Sequence, residues 1–97
     1  MAKLSDEQMS AALGRLSGWS RAGDTLTKTF SFKTFPDGIR FVDRVALVAE
    51  ELGHHPDITI NYSRVTMTLS THDEGGVTEK DVTLAERIEA ESARGGA

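Results

Sequence analysis

The sequence predicts an α+β domain with the element order α-β-β-α-β-β-α, in which helices pack on one face of a four-stranded antiparallel sheet. Two stretches alternate apolar and polar residues around short turns, as β-hairpins do. Three others repeat apolar residues every three or four positions, as amphipathic helices do. The chain has 97 residues, a length that makes a single domain over residues 1–97.

A capping sequence marks the start of the first helix. In segment 5–8, Ser-Asp-Glu-Gln, the serine hydroxyl can accept from the glutamine amide while the glutamine side chain reaches back. Leu4 and Met9 occupy the positions of a hydrophobic staple. Because an apolar stripe continues to about Leu16 and Gly18 follows, we expect a short helix that ends there.

Two hairpins are predicted from alternation with period two. The first spans residues 19–32, with a turn at 22–24 and a second strand over 25–32. In the second hairpin the apolar positions alternate over 58–62 and again over 65–69. These four strands would form the sheet.

The two remaining helices are bounded by their own signals. The longest is predicted to begin at Phe35, since the following proline is tolerated in a first turn. Its wide apolar stripe should lie flat on the sheet, and Gly53 suits its C-terminal cap. The last helix follows a second capping sequence, Thr-Glu-Lys-Asp at 78–81, and runs to about Glu89. We expect the tail 93–97 to fray.

Composition favours a soluble, cytoplasmic protein. Charged residues make up 27% and hydrophobic residues 38%, as in ordinary globular domains. The net charge of -4 argues against general nucleic-acid binding and against adhesion to anionic membranes. No cysteine is present, the N-terminal segment lacks the apolar core of a signal peptide, and the longest apolar run, 45–49, is far shorter than a membrane span. We therefore expect neither nucleic acid nor membrane among the partners.

Three histidines are the main candidates for chemistry. His54 and His55 adjoin between the helix cap and Pro56, where a tight turn fixes side-chain directions. His72 is predicted to end the strand that starts near Val65, with its side chain on the less apolar face or edge of the sheet. Antiparallel pairing would return His72 to the neighbourhood of His55. Because imidazole titrates near neutrality, such a cluster could donate and accept protons at cellular pH.

Other interpretations of these polar residues are open. A single histidine is more often structural than catalytic. A zinc site is less favoured, because adjacent histidines rarely point at one ion and no helical His-x-x-x-His pair is present. A Ser-His-Asp triad lacks a recognisable nucleophile elbow. Asp81 can be interpreted as the capping acid of the last helix, and Glu50 as a solvated helix carboxylate.

The spacing of these positions resembles the pterin-4a-carbinolamine dehydratase family, whose animal members are also called dimerisation cofactor of hepatocyte nuclear factor. The likeness covers about residues 13–88. Its signature positions here are Glu50, His54-His55-Pro56, Tyr62, His72 and Asp81. One departure is Ile58, where animal members carry a tryptophan.

The resemblance implies an enzyme that converts 4a-hydroxytetrahydropterin to quinonoid dihydropterin and water, recycling the pterin of aromatic amino acid hydroxylases without a metal or an organic cofactor. The reaction needs a proton on the departing hydroxyl and removal of a proton from ring N5. We hypothesise that His54 and His72 exchange these two roles while His55 orients the pterin.

The resemblance also implies the substrate contacts and the partners. The contacts are expected from Gly53-His54-His55 and from Ser70-Thr71-His72-Asp73, with support from Glu50, Pro56 and Asp81. A homodimer or homotetramer is expected. The alternative function is a non-enzymatic binding or dimerisation module that acts as a transcriptional coactivator or assembly factor.

Overall fold

A computed structural model describes residues 2–94 and confirms the predicted order of helices and strands. The elements are α1 (Asp6–Arg15), β1 (Ser20–Ala22), β2 (Thr25–Ser31), α2 (Phe35–Leu52), β3 (Asp57–Asn61), β4 (Arg64–Leu69) and α3 (Glu79–Arg94). Helix α3 therefore extends beyond the predicted end at Glu89. Of the tail expected to fray, residues 93 and 94 are still helical, and residues 95–97 lie outside the described part of the chain.

The two hairpins join through their second strands. The sheet order is β1-β2-β4-β3, and all three pairs are antiparallel. In the central pair Phe30 lies opposite Val65, which on its other side lies opposite Ile60. This register puts the apolar residues of neighbouring strands on one face, since alternate residues of a strand point to opposite faces.

Helix α2 covers that apolar face. Phe41 and Val45 are completely buried, and the Phe41 ring lies 4.9 Å from the ring centroid of Phe30 and 5.1 Å from that of Phe32. The other face of the sheet carries mainly threonines, whose hydroxyls pair between β2 and β4, as Thr29 and Thr66 do at 2.8 Å. Within residues 2–94, no helix is both long and apolar enough to cross a membrane.

The helix ends follow the predicted caps. The Ser5 capping box is formed in both directions, with distances of 2.9 and 3.1 Å between serine and glutamine groups. Helix α2 ends at Gly53, whose left-handed φ of 64° a residue with a Cβ rarely adopts. The reversal at Gly53 turns the chain away from the helix axis and places the two following histidines at the end of α2.

Candidate active site

An open cleft of about 340 Å³ lies where α2 ends, β4 ends and α3 begins. Its volume falls within the roughly 300–1,000 Å³ typical of small-molecule sites. Its lining comprises Gly53, His54, His55, Ser70, Thr71, His72, Asp73 and Lys80. The cleft thus brings together the three histidines and every residue for which a substrate contact was expected.

His54 is held firmly at the edge of this cleft. Its backbone N–H donates to the carbonyl of Ala49 at 3.1 Å, which continues the capping of α2. Its side chain is only 14% exposed, and its Nε2 lies 2.6 Å from Oδ1 of the fully buried Asp81. The imidazole therefore has one nitrogen fixed by a carboxylate, as a histidine that handles protons commonly has.

Asp81 has a second set of contacts through its other oxygen. Its Oδ2 accepts from the Thr71 hydroxyl at 2.8 Å and from the Thr78 backbone N–H at 2.9 Å. The second contact is the expected cap of α3, so the capping interpretation is confirmed. Because the other oxygen faces His54, the same carboxylate joins the helix cap to the cleft.

His55 is arranged differently from its neighbour. Its Nε2 lies 2.7 Å from Oε1 of Glu50, one turn back on α2, and the two side chains are 60% and 78% exposed. An exposed pair of this kind contributes little to stability. The interpretation of Glu50 as a solvated carboxylate is compatible with this pairing.

The prediction that His72 ends a strand is wrong. Strand β4 stops at Leu69, and His72 begins a single 3₁₀ turn, His72–Glu74. A backbone bridge between Thr71 and Gly76 closes this turn. Strand parity therefore does not set the direction of the exposed His72 side chain. The histidine still reaches the cleft because the end of β4 lies beside the start of β3, with Thr68 opposite Asp57.

The three predicted supporting residues, Glu50, Pro56 and Asp81, lie outside the cleft lining, as does Ile58. Pro56 is half-buried in the turn between α2 and β3, and Ile58 packs half-buried against the core. Ile58 is therefore not part of the cleft wall in this chain. Among residues 2–94, no group of three or more His, Cys, Asp or Glu side chains is placed so that it could hold a metal ion.

Lys80 is the cleft residue that the sequence prediction missed. It lines the cleft and also a smaller, more apolar depression of about 150 Å³ formed with Leu52, His54, Glu79 and Thr83. The available signal was the capping sequence at 78–81, which places Lys80 beside Asp81 in the first turn of α3.

Both the sequence and the fold are similar to those of known proteins. Residues 2–91 match the family model described as "Pterin 4 alpha carbinolamine dehydratase". Proteins of Mycobacteroides abscessus and Thermomicrobium roseum, both provisionally named pterin-4-alpha-carbinolamine dehydratase, are 51% and 49% identical to it. The first alignment covers 97% of this chain and 100% of the relative, and the second 91% and 95%.

Two solved structures are also similar. A transcriptional coactivator/pterin dehydratase from Brucella melitensis is 40% identical, with a TM-score of 0.89 over 92% of this chain and 97% of that one. A pterin dehydratase-like protein described as a RuBisCO assembly factor is 28% identical, with a TM-score of 0.62 over 75% and 84%. The chain belongs to the pterin-4a-carbinolamine dehydratase family.

Proposed function

We propose that the protein catalyses the dehydration of 4a-hydroxytetrahydropterin to quinonoid dihydropterin. The observation that carries this proposal is the cleft lined by three histidines, one of which is held by a buried carboxylate. Family membership supplies the substrate class. Proton transfer at neutral pH is chemistry that imidazoles perform without any added cofactor.

The proposed reaction balances with one acid and one base. The acid gives a proton to the 4a-hydroxyl, the C4a–O bond breaks, and the oxygen leaves as water. The base removes the proton from N5, and the electron pair of the N5–H bond forms the C4a=N5 double bond. We assign these two roles to His54 and His72, with His55 orienting the pterin.

The contacts of His54 favour it as one of the two proton-transfer groups. When its imidazole takes a proton, the positive charge forms 2.6 Å from the oxygen of Asp81, with which it can pair. The carboxylate also prevents the ring from rotating, so less orientation has to be fixed during the reaction. His72 has no hydrogen-bonded side-chain partner within residues 2–94, which leaves its ring available to the substrate.

A dehydration assay on single histidine variants tests the proposal. The 4a-carbinolamine is supplied, and the absorbance of the dihydropterin is compared with the spontaneous reaction. We expect His54→Ala and His72→Ala each to lose roughly 10²–10⁴-fold in rate, the usual worth of a general acid or base. His55→Ala serves as the internal control and should mainly raise KM. Equal, near-wild-type rates for the first two variants would rule out the assignment.

A binding function is the second candidate, and one surface feature favours it. Leu47 is 74% exposed in a groove between α2 and α3 that Arg44 and Arg87 also line. The two solved relatives are themselves described as a coactivator/pterin dehydratase and as an assembly factor. Folded protein that gives no acceleration of dehydration at any concentration would favour binding over catalysis.

A further inference from the structure

Two buried threonines lie behind the His54–Asp81 pair. Thr71 is 8% exposed and Thr78 is completely buried. Their hydroxyl oxygens are 2.8 Å apart, and the Thr71 hydroxyl lies 2.8 Å from Oδ2 of Asp81. The Thr78 hydroxyl in turn lies 3.2 Å from the backbone nitrogen of Lys80. Although Thr71 borders the cleft, its hydroxyl is directed toward the helix cap.

The direction of each hydrogen bond in this group is fixed by the donors available. An ionised carboxylate only accepts, so the single proton of the Thr71 hydroxyl goes to Asp81. The Thr78 hydroxyl must then donate to Thr71 while it accepts from the Lys80 N–H. Since Asp81 Oδ1 also only accepts, the nitrogen facing it, His54 Nε2, carries a proton.

We infer that Thr71 and Thr78 are positioning residues which, through Asp81, hold neutral His54 as its Nε2–H tautomer and leave Nδ1 as the proton-accepting atom. This inference rests on the proposed dehydration for its effect on rate, but the tautomer itself does not depend on any activity. It assigns to Thr71 a role through Asp81 in place of the direct substrate contact that the family resemblance implies.

The geometry favours positioning over substrate contact for Thr71. Its hydroxyl already donates to one buried acceptor and accepts from one buried donor, so little capacity remains for a ligand. Removing that hydroxyl would leave Asp81 Oδ2 with the Thr78 N–H as its remaining donor. The carboxylate could then rotate, and the nitrogen of His54 that faces it would no longer be uniquely set.

The test combines kinetics with nitrogen NMR of the imidazoles. Thr71→Val removes the hydroxyl at nearly constant shape, and Thr71→Ser restores it. Thr66→Val is the matched control, because it removes a hydroxyl from the open face of the sheet. The His54 tautomer is read from its ring ¹⁵N shifts at alkaline pH, with signals assigned by their loss in His54→Gln.

We expect Thr71→Val to lower kcat about tenfold or more, the size of effect seen when metal-bound histidines lose an outer hydrogen-bond partner, with little change in KM. In Thr71→Val, the ¹⁵N shifts of His54 should show a mixture of the two tautomers. Thr71→Ser should restore both the wild-type kcat and the single tautomer. If Thr71→Val does not fold, Thr71→Ala carries the same comparison.

Two outcomes would overturn the inference. If Thr71→Val raises KM but leaves kcat and the His54 tautomer unchanged, Thr71 is a substrate contact. If Thr71→Val has wild-type KM, kcat and tautomer, the Thr71 hydroxyl has no role in positioning His54. If the wild-type protein does not accelerate dehydration, the proposed function fails, while the NMR comparison still decides the tautomer.

Discussion

Asp81 makes more hydrogen bonds than a helix cap requires. Its two oxygens make three hydrogen bonds, with His54 in the turn after α2, Thr71 in the turn after β4 and Thr78 just before α3. A buried carboxylate without such donors would cost several kcal/mol to desolvate. The complete set of donors allows this charged residue to lie at 0% exposure beside an open cleft.

Replacement of Asp81 by alanine should therefore be strongly destabilising. The change leaves His54 Nε2, the Thr71 hydroxyl and the Thr78 N–H without their acceptor, and we expect a loss of about 3–5 kcal/mol in the free energy of unfolding. Urea unfolding measures it. Asp73→Ala, which removes an exposed carboxylate from the same cleft, should change the free energy by less than about 0.5 kcal/mol. Similar losses in the two variants would contradict the account of Asp81.

Gly53 allows a second test at a single position. An ideal Cβ at Gly53 would meet no atom within 4 Å, so Gly53→Ala should destabilise only through its φ of 64°, by about 1–2 kcal/mol. Gly23→Ala is a matched control, with a φ of 61° and equally open space in the first hairpin turn. Thermal unfolding should show similar losses, whereas only the change at Gly53, next to His54, should also lower activity. Equal activities would show that the cap does not position the histidine.

The sequence located the residues that meet at the cleft better than it predicted their contacts. Local capping rules located Asp81, and the helix cap before Pro56 located His54. The bond from Thr71 to Asp81 could not be predicted, because it depends on how the chain turns after β4. The same turn explains the error at His72: Gly75 adopts a φ of 73°, and the glycine pair allows a tight reversal where alternation had suggested further strand.

At the scale of elements, the alternation of apolar and polar residues predicted the two hairpins, but it did not predict the environment of every strand residue. Lys28 is an example, since it lies on the apolar face of β2 opposite Met67. Its ammonium reaches the edge of the core, where it donates to the Ser17 carbonyl at 2.9 Å and pairs with Glu89 on α3. Trp19 Nε1 donates to the same carboxylate at 2.8 Å. A buried lysine stem with a paired head is not distinguishable from an exposed lysine by sequence pattern alone.

Helices α2 and α3 are joined by a surface pair whose contribution should depend on pH. The hydrogen bonds from Arg87 and its charge lower the pKa of the Glu51 carboxyl below its ordinary value. Because the pKa of Glu51 is lower in the folded than in the unfolded state, its ion pair stabilises the fold at pH values above the pKa of the unfolded state. This stabilisation is lost as the pH falls through the pKa of the folded state.

Thermal unfolding of Glu51→Gln tests this dependence. Its melting temperature should be slightly below that of the wild type at about pH 7. The difference should shrink as the pH falls below the ordinary carboxyl pKa and vanish only below the lowered pKa of the folded state. Glu86→Gln, which removes the same charge from an exposed position of α3, is the control. A difference for Glu51→Gln that persists in acid would show that the ion pair is not its cause.

At the scale of the whole molecule, the shape leaves surfaces suited to association. The Cα radius of gyration is 12.9 Å and the principal extents are 38 × 24 × 20 Å. Leu47 on α2 and Tyr62 at the hairpin tip are 74% and 72% exposed, and β3 forms one edge of the sheet. Exposed apolar groups and an unpaired edge strand are features that oligomers commonly cover.

We expect a homodimer or homotetramer in solution. Sedimentation equilibrium at micromolar concentration measures the mass directly, and Leu47→Glu should weaken association if α2 contributes to the contact. Ala11→Glu, at an exposed position of α1, is the comparison variant. A mass of 10.5 kDa at every concentration would show a monomer.

The double use of Asp81 has a consequence for protein engineering. Glutamate is the usual acid at N3, the last residue of a capping box, and a design that considers only the start of α3 would accept it in place of aspartate. Its longer side chain would displace the carboxylate from His54, 27 positions away in the sequence. A more stable helix α3 and an intact site therefore place different requirements on residue 81. Aspartate meets both requirements, whereas glutamate would meet only that of the helix cap.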